Sequence, residues 1–209
     1  MNLPNKLSLI RIFLVPLLVV FLLGGKTLAG WLVSLLSLLG GKSLTTWNEV
    51  IALNDLIALV VFLVAAVTDW LDGYIARNSQ QVTTLGKFLD PVADKLLISA
   101  AFISLVEIQR IPAWIVVIIV GREIMVTGMR SIAAAQQIII PASRLGKYKV
   151  GFETIAVIIL ILNIPCKFTF PYLGMVSLGL ISAWLAMIMA VISGADHLIG
   201  FKKRINLEC

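Results

Sequence analysis

Long apolar runs separated by short polar stretches dominate the chain. They predict membrane-crossing helices over 7–23, 52–74, 88–108, 112–136, 150–164 and 171–194. Most are near the roughly 20 helical residues that cross a hydrocarbon core of about 30 Å. A further apolar piece, 31–39, is too short to cross, and the glycines beside it suggest an interfacial helix or an extension of the first hairpin. The segment 40–46, with its Gly, Ser, Thr and Lys residues, reads as a loop. The first run resembles a secretory signal in length, but Arg11 and Pro16 interrupt it and further spans follow, so a retained helix is expected.

The expected fold is therefore an all-α membrane protein with six transmembrane helices, forming one membrane domain over 1–209. Composition agrees, because 60% hydrophobic and 13% charged residues, with a mean hydropathy of +1.03, lie outside the range of ordinary soluble domains. No room remains for a separate soluble domain, and there is no repeat, low-complexity tract or linker. The net charge of +6 does not point to nucleic acid, since Lys and Arg flank apolar segments and form no basic stripe with stacking aromatics. Cys166 and Cys209 fall on opposite sides of the predicted membrane, so no disulfide is expected.

The basic residues orient the chain. Lys26, Lys42, Arg110 and Lys167 fall in outer loops if the amino terminus is inside, and the other thirteen of the 17 lie on the cytoplasmic side or in its half. The positive-inside rule then puts both termini in the cytoplasm of a multi-pass protein. Lys202, Lys203 and Arg204 read as a tail lying along anionic headgroups. Trp31, Trp47, Trp70, Trp114 and Trp184 suit interfacial belts or packing.

Against this apolar background stands Asp69-x-x-Asp72-Gly73-x-x-Ala76-Arg77, then eight residues, then Gly86-x-x-x-Asp90-x-x-x-Asp94. One aspartate at mid-bilayer costs roughly 2.5–3.5 kcal/mol on insertion scales, so four close together call for cations, water or both. At 3.6 residues per turn, Asp69, Asp72, Gly73 and Ala76 share a face of the second span, and Gly86, Asp90 and Asp94 form a stripe on the third. The short connection 78–85 makes the two spans antiparallel neighbours, which brings both stripes to one cytoplasmic-side site.

Oxygen donors without nearby His or Cys select a hard cation. Mg²⁺, Mn²⁺ or Ca²⁺ is favoured over zinc or copper, with Mg²⁺ (or Mn²⁺) preferred, and four carboxylates suit two ions. Gly73, Ala76 and Gly86 would let a flat ligand or another backbone approach, and Arg77 could pair with a phosphate. The plainer alternative has the aspartates paired with Arg77, Lys87 and Lys95 at a solvated helix end, with the small residues serving helix packing.

The signature D-x-x-D-G-x-x-A-R, eight residues, G-x-x-x-D-x-x-x-D resembles that of the CDP-alcohol phosphotransferase family, and all eight of its positions match. Asn5, Ser8, Arg11 and Pro16 are similar to that family's amino-terminal N-x-[LI]-[TS]-x-x-R-x-x-x-x-P segment. The stretch 88–95, with Arg122-Glu123, Arg130 and Gly146-Lys147-Tyr148-Lys149, resembles the branch that uses CDP-diacylglycerol and glycerol 3-phosphate and releases CMP. Val150 stands where that branch has threonine.

The resemblance implies that Asp69, Asp72 and Asp90 bind metal, and that Asp94 is the general base and a further metal contact. It implies a CDP pocket lined by Asn5, Ser8, Asp72, Gly73, Ala76, Arg77 and Gly86. Arg122, Arg130, Arg144, Lys147 and Lys149 form a basic group suited to the acceptor's phosphate, with ordinary topology-setting charge as the alternative for each. Glu123 is placed to orient a neighbour, Glu153 suits a helix-dipole or basic partner, and His197 has no assigned role. A homodimer in a bacterial cytoplasmic membrane, with membrane lipids around it, also follows from the resemblance. Other acceptors, inositol phosphate or serine, remain open. So does a different class, a divalent-cation transporter, although 56–67 is unbroken apolar sequence beyond the site.

Overall fold

The computed structural model describes residues 3–24, 47–79, 84–135, 144–163, 167–170 and 174–208. Six helices appear among them: α1 (Leu3–Leu23), α2 (Trp47–Ser79), α3 (Thr84–Glu107), α4 (Ala113–Ala135), α5 (Arg144–Leu162) and α6 (Leu178–Glu208). All six predicted spans coincide with helices, several of which run further into the polar flanks. Segment 31–39 lies outside the described residues.

The sixth span departs from expectation at its start. The predicted span includes 171–177, yet Gly174–Ser177 is a strand, β2, paired antiparallel with β1 (Lys167–Phe170) from Lys167↔Ser177 to Phe170↔Gly174. The aromatic and β-branched residues of 168–170 and 176 favour strand pairing, and Pro171 cannot donate to a helical ladder. The helix begins at Leu178 because the Ser177 hydroxyl caps it, accepting from Leu180 N–H at 3.3 Å.

Other ends have equally local causes. Gln109, in the left-handed region at φ 59°, stops the chain after α3, and Pro112 opens α4 by accepting from Ile115 N–H. Asn163, at φ 44°, ends α5. Arg110 caps that end, its Nη1 donating to the carbonyls of Ile161 at 2.8 Å and Leu160 at 3.3 Å. Inside α1, Pro16 cannot donate to the carbonyl of Ile12.

The chain forms two compact units, Met1–Ile108 and Gln109–Cys209. In the first, α1 packs along both α2 and α3, burying Leu18, Phe62, Leu97 and Phe102. In the second, α6 packs along both α4 and α5, and its buried Ala183, Ala186 and Ala190 let the helices approach closely. Gly179 sits so near Leu160 that a β-carbon there would displace that side chain. Trp114 and Trp184 meet edge to face at 5.1 Å.

The burial pattern departs from that of a soluble protein in two ways. Large apolar side chains such as Phe13, Val60, Ile103, Val117, Ile124, Ile155 and Ile199 are exposed, while Arg11, Lys149, Glu153, Ser193 and His197 are buried. Apolar outer surfaces enclosing a few buried charged and polar groups suit lipid as the surrounding solvent. Hydroxyls of Thr68, Thr127, Ser131 and Thr154 donate to carbonyls one turn back, so their polarity is satisfied within their own helices. Among the described residues one stretch, Leu178–Phe201, is by length and composition able to cross a membrane alone, and Leu9–Leu23 is a shorter apolar helix. The protein is a helical membrane protein, with one short hairpin among the described residues.

Candidate functional site

The aspartate signature lies on α2 and α3, where the structure places Asp69 and Asp72 near the carboxyl end of α2 and Asp90 and Asp94 in the first half of α3. Helical spacing carries each pair along one face of its helix. Of the four side chains only Asp69 falls among the described residues. Its Oδ1 lies 2.6 Å from Arg11 Nη1 of α1. Arg11 is wholly buried and Asp69 is 46% exposed, so the charge of an interior guanidinium is balanced by a carboxylate that stays open on its other side.

The side chains of Asn5, Ser8, Asp72, Arg77, Asp90, Asp94 and Arg144, and the surroundings of Gly73, Ala76 and Gly86, lie outside the described residues, which give only their helices. Among the described residues no three His, Cys, Asp or Glu side chains gather. The donor set that the sequence puts on α2 and α3 is carboxylate oxygen throughout, which fits a hard divalent cation.

In the second unit the expected phosphate-binding residues separate into two kinds. Lys147 and Arg130 are exposed, and Arg130 Nη2 lies 3.4 Å from His197 Nε2 of α6. Arg122 and Lys149 instead join a chain of charges that crosses three helices. Arg122 Nη2 donates to Ser193 Oγ of α6 at 2.6 Å and its Nη1 to Glu123 Oε1 at 2.5 Å. The same Glu123 oxygen accepts from Lys149 Nζ of α5, and Lys149 Nζ also lies 2.9 Å from Glu153 Oε2, one turn along. Lys149 and Glu153 are each 2% exposed.

Alternating signs make this chain tolerable inside an apolar helix bundle. Arg122, Glu123, Lys149 and Glu153 sum to no net charge, so each buried group faces an opposite one. Arg122 Nε and Glu153 Oε1 nevertheless make no hydrogen bond among the described residues. Polar capacity left over at such depth is costly, and polar groups kept inside membrane helices mark working sites.

The basic partner expected for Glu153 is Lys149, and the neighbours that Glu123 orients are Arg122 and Lys149. Ser193 and Gly194 are not singled out by the sequence, and His197, without a role there, lies beside Arg130. Their only signal is the adjacent pair Ser193 and Gly194 at the end of the last apolar run, with His197 about one turn further on, which periodicity alone does not connect to α4.

Comparison with known proteins extends this picture across both units. The family model described as CDP-alcohol phosphatidyltransferase matches residues 1–193. A CDP-diacylglycerol–glycerol-3-phosphate 3-phosphatidyltransferase of Bacillus subtilis (strain 168) is 39% identical over 198 residues, covering 94% of this chain and 93% of the relative. One of the same name from Rickettsia felis is 33% identical over 202 residues, covering 97% and 96%. A probable phosphatidylglycerophosphate synthase of Mycobacterium tuberculosis is 32% identical over 198 residues, covering 94% and 79%. With an unbroken aspartate signature on α2 and α3 and a family match running through both helical units, the chain belongs to the CDP-alcohol phosphatidyltransferase family.

Proposed function

We propose that this protein is a phospholipid-synthesising transferase. It moves the phosphatidyl group of CDP-diacylglycerol to sn-glycerol 3-phosphate, giving phosphatidylglycerophosphate and CMP. One observation carries the reading: relatives bearing that activity in their names align with nearly the whole chain, which holds every position of the aspartate signature.

Asp69, Asp72, Asp90 and Asp94 would hold the divalent metal on which the family generally depends. Mg²⁺ or Mn²⁺, as two ions, would supply charge neutralisation at the diphosphate and at the departing CMP. Asp94 takes the proton from the acceptor hydroxyl as that oxygen bonds to the β-phosphorus. The bond from this phosphorus to the bridging oxygen breaks, and CMP leaves with the electron pair. Gly73, Ala76 and Gly86 leave space for the nucleotide, Arg77 pairs with the diphosphate, and Asp72, Asn5 and Ser8 complete the CDP pocket.

Arg122, Arg130, Arg144, Lys147 and Lys149 serve the acceptor's phosphate. Exposure of Arg130 and Lys147 supports direct contact. Arg122 keeps one hydrogen on each terminal nitrogen after donating to Glu123 and Ser193, and Lys149 acts through Glu123.

The whole chain, 1–209, works as one six-span domain and as a homodimer in the bacterial cytoplasmic membrane, with both termini and the site at the cytoplasmic face. The distribution of Lys and Arg supports this orientation, and six helices near the expected spans support the count. The test is CMP release by purified protein given CDP-diacylglycerol, Mg²⁺ and one acceptor at a time. Release with glycerol 3-phosphate is expected. Release only with serine or inositol phosphate would overturn the acceptor, and Mg²⁺ uptake into vesicles without any CMP release would overturn the enzyme.

A further inference from the structure

Arg122 is held from α6 as well as from its own helix. Ser193 Oγ accepts from Nη2 at 2.6 Å, and the next residue, Gly194, lies against the arginine's stem. A β-carbon at 194 would come within 3.0 Å of Arg122 Cγ and 3.7 Å of Nε, so an alanine there would force the stem to move by a few tenths of an ångström. On the opposite side Glu123 Oε1 accepts from Nη1 and also from Lys149 Nζ, and that ammonium is held in turn by Glu153.

A guanidinium is planar and its terminal nitrogens carry two hydrogens each. Fixing one hydrogen of each by Ser193 and Glu123 fixes the plane, and the remaining two are donors of set direction. That is what recognition of a phosphate by arginine requires, since the benefit comes from orientation as much as from charge.

We propose that Ser193 and Gly194 of α6 are positioning residues for the acceptor's phosphate, acting through Arg122. The inference rests on Arg122 being a phosphate-binding group in the function proposed above. Ser193 touches no reacting atom, so its loss should weaken the acceptor without slowing the chemical step.

The experiment measures CMP release by the full-length protein in detergent, varying glycerol 3-phosphate and CDP-diacylglycerol separately. Ser193→Ala is expected to raise the acceptor KM by about five- to tenfold, the scale of one ordinary net hydrogen bond. The KM for CDP-diacylglycerol and kcat should stay within about twofold. Ser193→Thr, which keeps the hydroxyl, should restore most of the acceptor affinity, and Gly194→Ala should raise the acceptor KM in the same way. In an Arg122→Ala background, Ser193→Ala should add nothing. An unchanged acceptor KM in Ser193→Ala, or equal losses for both substrates that Ser193→Thr does not repair, would overturn the proposal. Arg122→Ala separates the two claims. If it leaves the acceptor KM unchanged, the underlying assignment of Arg122 fails, whereas if it raises that KM and Ser193→Ala does not, only the positioning role fails.

Discussion

Arg11 Nη1 and Asp69 Oδ1 stand 2.6 Å apart, joining the middle of α1 to the first aspartate of the signature on α2. The arginine contributes a fixed positive charge from the interior, and the carboxylate remains half-open. A carboxylate held from behind in this way is oriented before any ligand arrives, which reduces the ordering that binding requires. Replacing Arg11 with Leu should lower CMP release at least about tenfold, the cost of misplacing one such group. It should also raise the Mg²⁺ concentration needed for half-maximal rate. Wild-type metal dependence in that variant would show that the pair does not orient Asp69.

Removing single carboxylates tests the proposed metal site more directly. Asp69→Asn, Asp72→Asn and Asp90→Asn should each lower kcat by about 10²-fold or more, the scale seen when electrostatic stabilisation of a transition state is removed. Normal turnover in any one of them would contradict the two-ion account.

Metal removal gives an independent check. Chelation should abolish CMP release, and restoration should follow Mg²⁺ or Mn²⁺ but not Zn²⁺, because all the proposed ligands are hard oxygens. Full activity after exhaustive chelation would exclude the proposed role of the aspartates.

Lys149 is expected to matter first for stability. Lys149→Met takes from Glu153 its cationic partner and leaves Glu123 with Arg122, and removing one partner from a buried ion pair costs about 3–5 kcal/mol. Thermal unfolding in detergent should therefore show a large loss for Lys149→Met. The double variant with Glu153→Leu should recover a good part of it, since no unpaired charge then remains at position 153. Equal melting temperatures for Lys149→Met and the unaltered protein would show that the chain of charges carries no stabilisation.

Arg130 should behave differently, being exposed and meeting α6 at His197. Arg130→Ala is expected to raise the KM for glycerol 3-phosphate about tenfold or more, with a smaller change for CDP-diacylglycerol, because loss of a charged hydrogen bond to phosphate falls on one substrate. A larger change for the nucleotide lipid would reassign this arginine.

Hydrophobic runs and base placement determined much by themselves. Helices appear at all six predicted spans because a backbone in lipid must satisfy its hydrogen bonds within each segment, so length and apolar content nearly dictate the element. The aspartate signature was legible for a related reason, since carboxylates in such surroundings need a function to be tolerated. The hairpin of 167–170 with 174–177 was not legible, because a short apolar stretch reads alike as strand or helix until a partner strand is known.

Only the tertiary structure decided which charges meet. Sequence placed Arg122, Lys149, Glu153 and Arg130 in or near one cytoplasmic half. It could not tell that Lys149 lies between two carboxylates, or that Ser193, Gly194 and His197 of α6 attend the two arginines of α4. Spacing along one helix determines a face, but the partner of a side chain depends on how a second helix is rotated and how closely it approaches. In the second unit, that depends on the small residues along α6 against α4 and α5.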